Sequence, residues 1–238
     1  MNQFNQMIKQ YQEENRKLFM LRMEQNVFQS AVPAAAASIL KEEGFGAVNL
    51  ICTDSLEKCL ELAGIFTHRL DLPVVLETGF HKILKYGLAA FAKKAAEAGI
   101  SGIRVPDLPF EEQGQLAVYF LEEEGPFLIR EITPASGDRI IQNMQFARGF
   151  IWCSSSGNME FLSSLEGDPC TFYLYAVEAA ATLPVLLDFN TNSYEEVEKY
   201  LPSADGVIAG NNLIDRLRRE GYSSQLLREY CHSFNLTK

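Results

Sequence analysis

The feature that most constrains this fold is an eightfold alternation of short apolar runs with segments of helical periodicity. The runs are LFMLRM (18–23), AVNLIC (47–52), LPVVLE (72–77), GIRVP (102–106), FLIREI (127–132), GFIWCS (149–154), LPVLLD (183–188) and GVIAG (206–210). Most are continuously apolar, which is typical of parallel strands covered on both faces. Eight β-then-α units predict an α/β fold, a single (β/α)8 TIM-barrel domain over 1–238, with 1–16 as an N-terminal helix covering the barrel.

The segments between the runs carry helix signals. Apolar residues recur at helical spacing in 55–70 and in 82–98. Asp54 with Glu57, and Ser193 with Glu196, fit capping boxes at helix starts. An open doubly wound sheet is the alternative, but no G-x-G-x-x-G motif follows any strand to support it.

Composition narrows the function classes. The net charge of −10 over 238 residues disfavours binding to nucleic acid or to anionic membranes. Five cysteines without a C-x-x-C pair predict buried free thiols, with no disulfide framework, metal site or cofactor expected. The polar first residues carry no secretory signal and no run is long enough to cross a bilayer, so we expect a cytoplasmic protein.

Several segments, in order along the chain, resemble the tryptophan synthase alpha subunit family. The most specific is FAKKAAEAGISGIRVPDLPFEE (91–112), which matches a family stretch that ends in P-D-L-P-x-E-E. ENRKLFML (14–21), LPVVLETGFHKILKYGLAAF (72–91), PASGDRI (134–140) and ADGVIAGNNLI (204–214) are also similar. The resemblance implies a barrel lyase that splits indole-3-glycerol phosphate into indole and glyceraldehyde 3-phosphate, with a beta subunit as partner.

Two catalytic positions of that family are changed in this chain. The glutamate position at the end of strand two falls on Asn49, and asparagine cannot exchange a proton near neutral pH. The long loop with the family's aspartate is shortened, because CTDSLEKC (52–59) runs directly into a helix. The family's docking surface for the beta subunit includes that loop. Asp107 of PDLP is retained, and in the family it is associated with subunit coupling.

The indole slot of the family is replaced by charge. Arg22, Glu77 and Arg104 stand near apolar positions of strands one, three and four, and Arg130 and Glu131 replace two apolar residues of strand five. A buried lone arginine is costly, so Arg104 needs an acidic partner or an anionic ligand, and Glu77 and Glu131 are available. Two interpretations stay open: an anion-binding pocket, or a structural salt-bridge layer.

Other candidates lie at the predicted catalytic face. Arg22, Arg104, Arg130 and Phe189 are candidates for substrate binding, and Glu77, Glu131 and His81 for proton transfer. His81 also fits a helix cap. The resemblance places phosphate-binding amides at Gly157, Asn190, Gly210 and Asn211, where Asn190 replaces a family glycine.

Three functions fit this sequence. The first is the family lyase, and the second is a repurposed barrel enzyme acting on a small anionic or phosphorylated compound. The third is a non-catalytic ligand-binding or regulatory relative that kept the fold and lost the chemistry. The charged strand residues favour the second over the first, because indole does not require them.

Overall fold

Nine strand segments form one parallel sheet in a computed structural model that describes residues 3–28, 32–109, 112–122, 125–144, 147–155 and 168–237. The order of the segments is β5-β4-β3-β2-β1-β9-β8-β7-β6. They are β1 Leu18–Glu24, β2 Ala47–Ile51, β3 Val74–Glu77, β4 Gly102–Arg104, β5 Phe127–Leu128, β6 Arg130–Ile132, β7 Ile151–Ser154, β8 Val185–Asp188 and β9 Gly206–Ala209. All eight predicted runs are strands, and the sheet nearly closes into the predicted barrel.

The two edges of the sheet meet at the predicted fifth strand, which is divided in two. β5 pairs with β4, and β6 pairs with β7, so the two halves join the ends of the sheet. Ile129 lies between them, and its N–H donates to the carbonyl of Ile103 at 2.8 Å. One continuous piece of chain therefore connects both edges.

Helices follow the strands as predicted, except that one predicted helix is divided into two. They are α1 Gln3–Glu13, α2 Val32–Glu42, α3 Leu56–Gly64, α4 Phe80–Tyr86, α5 Leu88–Glu97, α6 Gln113–Glu122, α7 Ile140–Met144, α8 Pro169–Ala180, α9 Tyr194–Val197, α10 Asn211–Glu220 and α11 Ser224–His232. The predicted helix over 82–98 is two helices, because Gly87 adopts a φ of 97° between α4 and α5. Within the described ranges, none of these helices has the length and apolar character needed to cross a bilayer.

Helix caps correct one detail of the sequence analysis. Ser55, not Asp54, caps α3, and its hydroxyl accepts the N–H of Lys58 at 3.4 Å. The predicted cap at Ser193 is confirmed, since its hydroxyl accepts the N–H of Glu196. Asp54 is exposed, and its N–H donates to the side-chain oxygen of Gln25 at 3.2 Å.

The barrel interior forms a core of its own. Its apolar cluster is lined by residues from six of the strand segments, by Ile129, and by Phe150 directly before β7: Leu18, Met20, Ala47, Val75, Ile129, Phe150, Trp152, Leu186 and Ile208. Helix α1 adds Phe4 and Ile8 to that cluster, one helical turn apart. Phe4 stacks on Phe150 with 5.1 Å between ring centroids. The N-terminal helix therefore packs against the barrel interior.

Candidate functional site at the carboxyl ends of the strands

The barrel interior changes from apolar to charged toward the carboxyl ends of the strands. Side chains two residues apart on a strand share a face, so each apolar interior position is followed by another interior position. The next interior residue is charged at five places: Met20 is followed by Arg22, Val75 by Glu77, Gly102 by Arg104, Ile129 by Glu131, and Leu186 by Asp188. We call these five charged residues, together with Trp152, the ionic layer.

Arg22 joins one side of the ionic layer to the other. Its Nη2 donates to both carboxylate oxygens of Glu77, at 3.0 and 3.2 Å. Its Nη1 donates to Asp188 Oδ2 and to Asn211 Oδ1, each at 3.0 Å. The guanidinium therefore contacts strands β3 and β8 and the start of α10.

Arg104 continues the chain of ion pairs. Its Nη1 lies 2.9 Å from Glu77 Oε2, and its Nη2 lies 2.7 Å from Glu131 Oε2. Burial opposes the charge of Arg104, but Glu77 and Glu131 outweigh it and raise the pKa of the guanidinium above its ordinary value. The structure thus brings together Arg104, Glu77 and Glu131, as the strand positions suggested.

Trp152 forms the floor of the ionic layer. It is fully buried, and its Nε1 donates to Asp188 Oδ2 at 3.1 Å. The guanidinium carbons of Arg104 and Arg22 lie 4.6 and 5.6 Å from its ring centroids. The ring thereby supports both cations through cation–π contact as well as packing.

The sequence did not identify Asp188 or Trp152 as residues of this site. The signal for Asp188 was available, because LPVLLD ends in an acid just as LPVVLE ends in Glu77. Trp152 carried no such signal, since a tryptophan in an apolar strand reads as ordinary core.

The charges and hydrogen bonds around Arg22 and Arg104 bear on whether these residues form an anion-binding pocket or a structural salt-bridge layer. The layer holds three carboxylates and two guanidinium groups, and the side chains of Arg22, Glu77 and Arg104 are each only 10–12% exposed. Of the guanidinium nitrogens of Arg22 and Arg104, only the two Nε atoms lack a hydrogen-bond partner among the described residues. The terminal nitrogens are engaged, so the geometry favours an ion-paired layer over an open anion pocket at these two residues.

Arg130 does not enter this layer. It precedes Glu131 on β6, and neighbouring residues of a strand point to opposite faces. Its Nη1 hydrogen-bonds the side-chain oxygen of Gln113 at the start of α6, and burial lowers the pKa of the guanidinium. Arg130 therefore lies on the helix side of the sheet, and its role in substrate binding stays a prediction.

Asn49 occupies the interior of β2. It is fully buried, and its Nδ2 donates to the carbonyl of Val75 at 3.2 Å. Its Oδ1 has no hydrogen-bond partner among the described residues. The side chain lies beside Arg22 in the strand register, where an amide can donate or accept a hydrogen bond but cannot titrate.

His81 and Asp107 form a pair outside the ionic layer. Asp107 Oδ1 accepts the N–H of Phe80 at 2.8 Å, so this retained acid caps helix α4. Its Oδ2 lies 3.9 Å from His81 Nδ1, and the histidine side chain is 75% exposed. These residues therefore lie together near the start of α4, exposed to solvent.

The residues predicted to bind phosphate lie in different places. Gly210 precedes α10 with a φ of 129°, and a Cβ there would lie 2.7 Å from the carbonyl oxygen of Arg22, so glycine is required. The side chain of Asn211 is bound to Arg22 and Asp188. Asn190 is exposed in the left-handed region, with a φ of 55°. Gly157 lies outside the described residues.

Phe189 belongs to the packing between sheet and helices. Its ring lies 6.4 Å from that of Tyr173 and 5.1 Å from that of Tyr200. It packs against the outer core rather than the interior cluster. Packing accounts for this residue, and its role in substrate binding stays a prediction.

Fold and site define the class: a (β/α)8 barrel protein with a polar site at the carboxyl ends of its strands. Residues 46–236 match the family model for the tryptophan synthase alpha chain. The chain therefore belongs to the tryptophan synthase alpha family, and the resemblance seen in the sequence is confirmed.

Known relatives and structures agree with this assignment. The tryptophan synthase alpha chain of Lachnospira eligens is 29% identical over 85% of this chain and 76% of its own length. That of Halalkalibacterium halodurans is 35% identical over 67% of this chain and 60% of its own length. The structure of tryptophan synthase subunit alpha from Legionella pneumophila superposes with a TM-score of 0.80 at 19% identity, covering 98% of this chain and 97% of that one. A Mycobacterium tuberculosis tryptophan synthase structure gives 0.82 at 20% identity, covering 98% and 96%.

Proposed function

We propose that this protein is a carbon–carbon lyase of the tryptophan synthase alpha type whose phosphorylated substrate carries a polar group in place of indole. The observation that supports this most is the ionic layer. Indole is flat and apolar, and placing it against five charged side chains would remove water from them without replacing their hydrogen bonds. A hydroxylated group could keep those charges hydrogen-bonded.

Glu131 is the best candidate for proton transfer. Cleaving a bond between a carbon and a hydroxyl-bearing carbon requires one group to take the hydroxyl proton and one to protonate the carbon that leaves. The side chain of Glu131 is 23% exposed, against 12% for Glu77 and 8% for Asp188. Both oxygens of Glu77 are engaged by arginines, so Glu77 serves to position the layer.

The phosphate is assigned to the start of α10. The required glycine at 210 brings the backbone close to β1, and the first N–H groups of a helix favour an anion. Asn211, held by Arg22 and Asp188, would couple this anion site to the ionic layer. A small phosphate ester would then span the distance between the two.

The test compares indole-3-glycerol phosphate with sugar phosphates by measuring glyceraldehyde 3-phosphate, a product that both can release. The purified chain is incubated with indole-3-glycerol phosphate, alone and with a tryptophan synthase beta subunit, and separately with a panel of sugar phosphates. Release of glyceraldehyde 3-phosphate is followed by a coupled dehydrogenase assay, and indole is measured directly. We expect cleavage of at least one sugar phosphate, lost in Glu131→Gln, and little indole in either mixture. Indole-3-glycerol phosphate as the best substrate would overturn the polar-substrate proposal.

A second candidate is a ligand-binding protein without catalysis. The buried amide of Asn49 in place of a titratable acid favours it, together with the full pairing of Glu77. Binding of phosphate esters measured by calorimetry, with no cleavage of any of them and no effect of Glu131→Gln on affinity, would establish this alternative.

A further inference from the structure

Two thiols and a lysine meet beside the connection between β2 and α3, outside the ionic layer. Cys52 directly follows β2, and Cys59 lies on α3, near enough that each thiol shifts the pKa of the other. Lys82 on α4 reaches the same place, with its Nζ 3.7 Å from Cys52 Sγ. The ammonium is fixed there by the carbonyl oxygens of Cys52, at 2.8 Å, and Asp54, at 3.0 Å.

The groups around the Cys52 sulfur favour its thiolate form. The groups that face its sulfur are Cys59 from α3, Thr78 after β3 and Lys82 from α4. The hydrogen bond with Cys59, helped by the charge of Lys82 and opposed by burial, lowers the pKa of Cys52 to about 6. The partner shows the opposite effect, since the pKa of Cys59 is raised by the same hydrogen bond and by burial.

The other three cysteines offer a contrast within the same chain. Burial raises the pKa of Cys153 to about 12, and it also raises the pKa values of Cys170 and Cys231. Cys52 is thus the one thiol of the five whose pKa is lowered. It is 6% exposed, and the next two residues of the chain are exposed.

We propose that Cys52 and Cys59 form a peroxide-sensitive pair in which Cys52 attacks and Cys59 resolves. The Cys52 thiolate attacks one oxygen of hydrogen peroxide: an S–O bond forms, the O–O bond breaks, and the second oxygen leaves as water after taking up a proton. Sulfur loses two electrons and the peroxide gains them. The Cys59 sulfur then attacks Cys52 sulfur, an S–S bond forms, the S–O bond breaks, and a second water leaves with the thiol proton of Cys59.

The sequence makes this pair easy to detect. Trypsin cuts after Lys58, between the two cysteines, so a disulfide links peptide 42–58 to peptide 59–69. The full chain is treated with hydrogen peroxide at pH 7, free thiols are blocked, and the tryptic digest is measured by non-reducing mass spectrometry. We expect the linked pair to appear while Cys153 and Cys231 stay reduced. Oxidation of Cys52 no faster than that of Cys153 would overturn the proposal.

Two variants separate the steps. In Cys59→Ser the hydroxyl keeps a hydrogen-bond donor beside Cys52 but cannot form the disulfide. We expect no linked peptide, and a sulfenic acid at residue 52 that is captured by dimedone. Absence of that adduct, in a variant whose unfolding curve matches that of the parent, would refute Cys52 as the attacking sulfur.

The role of the lysine is tested on α4 itself. Lys82→Met should slow oxidation of Cys52 at pH 7 by about tenfold and move the midpoint of its alkylation to higher pH, because a positive charge near the thiolate is lost. Lys85→Met, at an exposed position of the same helix, is the matched control and should react as the parent does. Lys82→Arg keeps the charge and should restore the rate. Equal rates in all three variants would remove the lysine from the proposal.

Discussion

The two ends of the barrel interior are built from the same strands and hold opposite kinds of side chain. At the amino ends, Phe4 and Ile8 of α1 pack against Phe150 and its apolar neighbours. At the carboxyl ends, two residues further along the same strands, ion pairs fill the equivalent space. Apolar packing needs only shape, whereas a charged layer must satisfy each hydrogen bond, so the carboxyl end is the part that a ligand can rearrange.

The largest effect is expected at the apolar end. Phe150 is fully buried, and Phe150→Ala should lower the free energy of unfolding by about 3–5 kcal/mol through lost burial and the cavity left behind. Urea denaturation measures this loss. Phe150→Leu keeps an apolar side chain and should lose less. Ligand binding at the carboxyl end should not change in either variant, and a matched loss of binding would contradict the separation of the two ends.

The next effect is expected at the centre of the ionic layer. Glu77→Gln leaves Arg22 and Arg104 short of a negative charge in a site that is mostly buried, and we expect a loss of about 3 kcal/mol. Glu97→Gln is the control, because Glu97 pairs with Lys94 on the surface, where a salt bridge contributes little. If both variants unfold at the same urea concentration, the layer is better hydrated than its burial indicates.

A smaller effect is expected where the two ends meet. Trp152→Phe keeps the aromatic ring but removes the Nε1–H that donates to Asp188, and we expect a loss of about 1 kcal/mol. The same variant removes the indole ring that faces Arg22 and Arg104, so it should also shift ligand affinity. A change in stability with no change in affinity would place Trp152 with the apolar end alone.

The smallest effect is expected when one ion pair is replaced entirely. The double variant Arg104→Met with Glu131→Leu removes both charges, and its stability should stay within about 1 kcal/mol of the parent, because a buried ion pair is often no more stabilising than apolar side chains of similar size. Each single variant should be less stable than the double one. Cleavage should be lost in the double variant, since Glu131 is absent. Retained cleavage would show that a residue other than Glu131 transfers the proton.

Sequence patterns predicted the apolar end better than the charged end. Periodicity predicted all eight strands, and the position of Arg104 on its strand pointed to Glu77 and Glu131 as partners. The sequence did not tell which residue of the pair Arg130–Glu131 faces inward, because two adjacent charges can be separated only once the register is known. Asn211 was predicted to bind phosphate through its backbone amide, and the hydrogen bond of its side chain with Arg22, between residues 189 positions apart, could not be read from local patterns.

The divided strand at Ile129 has a consequence for how the barrel opens. The two-residue segment β5 pairs with β4, and the three-residue segment β6 pairs with β7, so the wall is joined here by short ladders of two and three residue pairs. Short ladders open at a lower free energy than long ones. We expect amide hydrogen exchange to begin along this seam, at Ile103 and Leu128, while β1, paired along its length with β2 and β9, stays protected. Local opening of the barrel at this seam would then displace Glu131 on β6 before it displaces Arg22 on β1.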